Sequence, residues 1–481
     1  MRLGARITLE GFEAALGSRA LEVGDETVAK LQAARQVVAA AAAGEAPVYG
    51  LNTGLGANLG HRLRADEIAA FQHQLIAGRA VAVGALLPPE VGRAMLLARL
   101  IGAAQGVSGL SVPLFEHLCA VWRAGLSPGV PAHGSIGASD LTQNACWALA
   151  VLGEGQMHDG VAWRQADSAM AQAGLTPPAL EPKDAMAMIN HSALGVARAG
   201  LALARARMGL LMAREAAALS CRGFGANRDI FATEINALRS SPGQADMAAW
   251  FYDALGGVPP RRVQDPLSFR TLAPVLGAAQ AAIDHAIAVW EAELNGSSDS
   301  PAVLHRDAMR STPNFHAPAL ALALEQVSLA LAMAAQGAVM RIQRLMDPAL
   351  TDLPRYLSPR GGASAGLVPL QKTAAALLAD IRRHAMPVVF DAHPVSEGVE
   401  DMAPMTAQAA AKLCEQMESF HLLTGVEALV AAQAVDLRGA QPCALHQVLR
   451  AEIQVLDADR ALGADADRAV AALRRFVEDQ S

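Results

Sequence analysis

The sequence predicts an all-α protein built around a long central helical bundle. Of its 481 residues 52% are hydrophobic but only 4% are aromatic, so the apolar content is mostly Ala, Leu, Val and Met, which suits closely packed helices better than sheets. Three long runs, 196–222, 317–340 and 407–437, are apolar around most of a helical circumference, as buried bundle helices are. The length accommodates two or three average domains or one large helical body. We divide the chain into an N-terminal domain carrying the candidate site, residues 1–195, and a central and C-terminal helical bundle domain, residues 196–481.

Composition also excludes several classes of partner. The net charge is −7 with no run of like charges, which argues against a nucleic-acid or anionic membrane surface and for a small-molecule partner. Five scattered cysteines do not make a disulfide framework and fit a reducing, cytoplasmic compartment. The start, MRLGARITLEGFEAALG, lacks the apolar core of a signal peptide. Glu325 and Gln326 interrupt the run 317–340, which therefore reads as a bundle helix and not as a membrane span. No His-x-x-x-His, clustered Cys/His, P-loop or dinucleotide fingerprint occurs, so neither a metal nor a nucleotide or flavin cofactor is expected.

Taken in order, the elements follow from local chemistry. An Ala-rich helix over 25–43 is ended by Gly44 and Pro47, and VYGLNTGLGANLG follows as a glycine-rich loop headed by Tyr49. Helices are expected at 65–78, 89–105 and 113–123. A small-residue turn, HGSIGASD, then enters an apolar helix through Asp140. Such a turn lets backbone amides approach a ligand, although Ser139 or Asp140 also suits an ordinary N-cap. Between Gly155 and Pro182 the alternation in MHDGVAWRQ reads as a short hairpin and loop. Helices are expected again at 196–222, 272–294, 317–340, 407–437 and 451–479, with a Gly/Ser-rich loop, LSPRGGASAG, leading into a helix that bears Lys372. The chain has four lysines against 35 arginines, which singles out Lys372 in its apolar segment, because an ammonium's pKa shifts readily on burial. A lysine snorkelling to the surface is the competing reading.

The motif GSIGAS, followed by a helix ending in LGEG, resembles the signature of the histidine and phenylalanine ammonia-lyase family. In that family an Ala-Ser-Gly triplet cyclises into an electrophilic methylidene-imidazolone. Here the triplet reads Ala138-Ser139-Asp140, one residue short, with the glycine deleted. Further motifs follow in family order. VYGLNTGLG resembles Tyr-Gly-x-Asn-Thr-Gly-x-Gly, which puts Tyr49 on the family's base. Arg79 stands where the family has a histidine near the substrate ring, and KDAMAMINHSALG puts Asn190 on the substrate-binding asparagine. GGVPPRRVQDPLSFR puts Arg270 on the arginine that pairs with the substrate carboxylate, with Leu267 in place of a tyrosine. NGSSDSP and TPNFHAPAL place Asn295 and Phe315 near the site, and HPVSEGVEDMAPMT places Glu400 on the glutamate that contacts the substrate ring, with Met402 in place of a histidine.

The resemblance implies a homotetramer with an ammonia-lyase-like fold, whose sites combine residues from several subunits. It also implies a carbon–nitrogen lyase, while the broken triplet implies that the electrophile is missing. A substrate whose nitrogen is already quaternary needs no electrophile, so a trimethylammonium betaine of histidine is the expected substrate, with Tyr49, Lys372 and Glu400 catalytic. Two alternatives stay open: an ordinary histidine ammonia-lyase-type enzyme, and a catalytically dead relative kept for binding a ligand.

Overall fold

A computed structural model describes residues 1–54, 60, 62–239, 241–257, 260–304, 308–390 and 393–480. It is mostly helical, 61% helix against 7% strand, as an aromatic-poor, Ala- and Leu-rich chain should be. The four longest helices among the described residues are Ala193–Phe224, Leu272–Asn295, Pro318–Leu345 and Thr406–Arg438. Contacts divide the chain into two compact units, and each of these four helices contributes residues to both.

The first unit comprises Met1–Leu201, Ile287–Leu322 and Pro387–Ala411. Helix Pro89–Ala103 begins on a proline, which a first turn tolerates, and buries residues on most faces. Gly92 lets this helix lie against strand Ser127–Pro128, where any Cβ would fall 1.9 Å from the Pro128 carbonyl oxygen. Helix Val112–Ala124 is capped by Ser111, whose Oγ accepts from the Leu114 amide, and ends at the left-handed Gly125. Short strands brace the connections. Val83–Leu86 pairs antiparallel with Pro131–His133, and Ser127–Pro128 joins the hairpin of Gln156–His158 and Trp163–Gln165. A buried ion pair lies among these elements: Arg99 meets Asp299 through two hydrogen bonds of 3.0 and 3.1 Å.

The second unit comprises Ala202–Ala286, Ala323–Met386 and Lys412–Ser481. Its core contains a buried pair in which Arg341 donates from Nε and Nη2 to Glu427 at 2.6 and 3.0 Å, while Ser220 Oγ donates to the same carboxylate at 2.8 Å. Gln416 crosses between helices, its amide donating to the carbonyls of Ser328 and Ile381.

Two local expectations need correction. The stretch read as hairpin and loop also holds a helix, Ala166–Gln172, too short to show a helical period. The single helix expected over 451–479 is two, Ala444–Glu452 and Gly463–Glu478. The break follows from Ile453, which is extended, and from the Leu456 amide, which donates to Gln433 Oε1 and not to a preceding turn.

Candidate active site

Strand Pro131–His133 delivers the chain into the turn at 134–140. Ser139 and Asp140 both lie in the left-handed region, at φ 69° and 49°, a conformation that costs a residue with a Cβ and collects at functional sites. The turn is held tightly. A Cβ at Gly137 would come within 2.9 Å of the Thr406 amide, and the Met405 amide donates to the Ile136 carbonyl at 3.2 Å. Gln408 donates to the Ser135 carbonyl, and the backbone at Ala138 bridges to His316, next to the half-buried Phe315.

Asp140 is fully buried and stands at the N-cap position of helix Leu141–Val151, but its side chain makes no capping bond to that helix. Its Oδ1 accepts from Ser135 Oγ at 2.5 Å and its Oδ2 from the Gly195 amide at 2.8 Å. Gly195 is the third residue of helix Ala193–Phe224, so the carboxylate satisfies an orphan amide at that helix's positive end. Burial pushes the carboxyl's pKa up, while the bonds from Ser135 and Gly195 and the charge of Arg198 oppose the rise.

Asn144 ties the turn to the segment that carries Asn190. Its amide nitrogen lies 2.8 Å from the Ser139 carbonyl, 3.1 Å from that of Ile189 and 2.7 Å from that of His191. Asn190 in turn donates to the Ser300 carbonyl at 2.5 Å. His191 is buried and neutral: burial first, then the charge of Arg99, pushes its pKa down to about 3. Its Nε2 donates to the Met188 carbonyl and its Nδ1 accepts from the Ala193 amide.

Tyr49 and Arg79 are close enough to interact electrostatically; burial lowers the guanidinium's pKa and a negative Tyr49 raises it. Arg79 lies four residues before Val83, whose strand pairs with the one entering the turn. Residues 55–59 of the glycine-rich motif, and Val258 and Pro259 of the motif before Arg270, lie outside the described residues. Glu400 closes a tight loop, bridging to Val395 through its backbone and accepting from Ser396 Oγ at 3.2 Å. Asn295 spends its amide on backbone, donating to the carbonyls of Ile7 and Glu291 and accepting from the Ile7 amide.

In the second unit, Arg270 is exposed at the end of the short helix Leu267–Arg270 and donates to Gln264 at 3.2 Å. A cavity of about 280 Å³ beside it is lined by Leu267, Thr271, Met333 and Arg341. Lys372 is also exposed, on the opposite face of helix Val368–His384 from the buried Leu370, Ala374, Leu378 and Ile381. The apolar sequence around Lys372 therefore does not bury it within its own chain. The fully buried lysine is Lys183, which sequence reasoning missed; it donates to the Ser108 carbonyl at 2.7 Å, and burial brings its pKa down to about 8. Its one signal was position, between Pro182 and the apolar run of residues 185–189.

The turn does not fit the prosthetic group that the family resemblance implies. The nitrogen that would close the ring belongs to Asp140, whose Cβ and carboxylate are fixed between Ser135 and Gly195.

Comparison with known proteins places this arrangement. The family model for aromatic amino acid lyases matches residues 7–455. A histidine ammonia-lyase from Myxococcus xanthus (strain DK1622) is 32% identical over 470 residues, covering 95% of this chain and 92% of that protein. Among solved structures, ergothionase from Treponema denticola in complex with desmethyl-ergothioneine sulfonic acid superposes with a TM-score of 0.92 at 27% identity, covering 100% of this chain and 99% of the other. Histidine ammonia-lyase from Trypanosoma cruzi does so with a TM-score of 0.92 at 28% identity, covering 100% and 94%.

Proposed function

The chain belongs to the aromatic amino acid lyase family, and we propose that it is a carbon–nitrogen lyase that eliminates trimethylamine from a histidine betaine, converting ergothioneine to thiolurocanate without a methylidene-imidazolone. The observation that carries the proposal is Asp140. An amino group leaves poorly unless an electrophile first makes it electron-poor, and Asp140 occupies the place of the glycine that such an electrophile needs. A trimethylammonium group already carries the positive charge and departs as a neutral amine. The family resemblance to ergothionase supports the same substrate class. The proposal includes a cytoplasmic homotetramer in which several subunits complete each site.

In the proposed mechanism Arg270, with Asn190, holds the substrate carboxylate, a task suited to a guanidinium. Tyr49, as phenolate, takes the proton from Cβ. The C–H electrons form the Cα=Cβ bond, the Cα–N bond breaks, and trimethylamine leaves with its electron pair, giving a trans-acrylate. The Cβ proton is weakly acidic, so the ring must accept charge. Lys372 donates to the thione sulfur and Glu400 holds a ring N–H, stabilising the anion where it develops. Arg79 lies within electrostatic reach of Tyr49, and Phe315 packs against the ring.

The second reading, a histidine ammonia-lyase, is favoured by the 32% identity to a protein of that name. Intact mass with one variant separates the two. The proposal expects a purified chain of full calculated mass and substantial turnover of ergothioneine by Ser139→Ala. A mass lower by two waters, or loss of turnover in a folded Ser139→Ala protein, would overturn it.

A further inference from the structure

Helix Val368–His384 is the element that presents Lys372. No side chain caps it. Beside its first turns, a cavity of about 580 Å³ lies between Pro369, Leu370, Thr373 and Leu377 and residues such as Leu462 and Ala466. The loop that leads into the helix carries two consecutive non-glycine residues in the left-handed region, Tyr356 at φ 56° and Leu357 at φ 55°. Strain of that kind persists only where surrounding contacts over-determine it.

The strained pair is braced locally, the Tyr356 amide donating to the Met346 carbonyl at 3.3 Å and the Tyr356 carbonyl accepting from the Leu367 amide at 2.9 Å, and the stretch that follows it is held by the segment between the two last helices. The Asp459 carboxylate accepts from Ser364 Oγ, from the Ala365 amide at 2.7 Å and from the Gly366 amide at 3.0 Å, and these bonds hold its carboxyl below the usual range. Arg360 donates to the Asp457 carbonyl at 2.8 Å and to its carboxylate at 3.0 Å. Beneath them the buried Gln433 donates to the carbonyls of Leu357 and Leu456 and accepts from the Leu456 amide, joining the loop to the same segment.

We propose that residues 456–459 form a latch that sets the position of the Lys372 helix, with Asp459 and Gln433 as positioning residues for the ring-activating ammonium. The role assigned to Lys372 rests on the proposed function; the latch does not. The break between helices Ala444–Glu452 and Gly463–Glu478 thereby acquires a purpose, since a continuous helix would leave the loop unheld.

The test measures amide hydrogen exchange across 356–372 together with ergothioneine turnover, in the wild type, Asp459→Ala, Lys372→Met and the double variant. The amides of Ala365 and Gly366 should exchange faster in Asp459→Ala, and its kcat should fall between about 10- and 10²-fold, the cost of misplacing a reacting group by roughly an ångström. In the Lys372→Met background the same substitution should cost almost nothing, which a merely structural role would not produce. If Asp459→Ala does not fold, Ser364→Ala replaces it as the milder release. Unchanged exchange at Ala365 and Gly366 overturns the latch whatever the activity. Equal losses in both backgrounds, or full turnover despite faster exchange, overturn the positioning role. A wild type inactive on ergothioneine refutes the functional reading instead, and exchange still decides the latch.

Discussion

Tyr49 and Arg79 lie within electrostatic reach of each other in one unit, and the proposed mechanism takes Tyr49 as its base. Removing a positioned base typically costs about 10²–10⁴-fold in rate. Tyr49→Phe is therefore expected to cut kcat by at least that range, as is Lys372→Met, whereas Arg270→Met should act more on KM; steady-state kinetics with ergothioneine separate the three. Near-wild-type kcat in Lys372→Met would remove ring activation from the mechanism. His191 offers a prediction of a different kind. Its pKa falls from an ordinary 6.5 to about 3 on folding, so between those values the unfolded chain binds a proton that the folded chain does not. The stability from burying the neutral ring is present above pH 6.5 and is lost as pH falls towards 3. His191→Gln should thus show a smaller drop in Tm between pH 7 and pH 4 than the wild type, and an equal drop would contradict the assignment.

At the scale of elements, the turn at 134–140 and helix Ala193–Phe224 form one device joined by Asp140. Asp140→Ala leaves the Ser135 hydroxyl and the Gly195 amide buried without their acceptor, at about 1–3 kcal/mol for each. Denaturant unfolding should report a loss of that order, and Asp140→Asn, which keeps an acceptor, should lose less. Helices with long apolar runs, such as Pro318–Leu345, were legible in the sequence because their period repeats over many turns. Helix Ala166–Gln172 and the break after Glu452 were not, since the first offers under two turns of period and the second depends on Gln433, far away in sequence. The order of motifs singles out Tyr49, Asn190 and the turn in the sequence, and the structure ties the turn to the segment of Asn190 through Asn144. Burial was beyond sequence reasoning: Lys183 and Lys372 both sit beside apolar residues, and only the folded chain shows that the first is enclosed and the second exposed.

At the scale of the molecule, three helices among the described residues are long and apolar enough to cross a membrane by length and composition: Leu272–Asn295, Pro318–Leu345 and Thr406–Arg438. The last is covered by its own chain, with 83% of its most apolar window buried, but the other two are only 44% and 56% buried there. Leu322, Leu329 and Met333, each more than half exposed, line one side of Pro318–Leu345. We propose that these apolar faces are buried against other subunits, so the purified protein should be a tetramer by light scattering at micromolar concentration, and a monomer would refute that assembly. The central claim concerns the bond that breaks. It is tested most directly by incubating the purified protein separately with ergothioneine, hercynine and histidine and quantifying the amine and the conjugated acrylate released from each. The account predicts trimethylamine and acrylate in equal amounts from ergothioneine and no ammonia from histidine; ammonia and urocanate from histidine, with ergothioneine untouched, would contradict it.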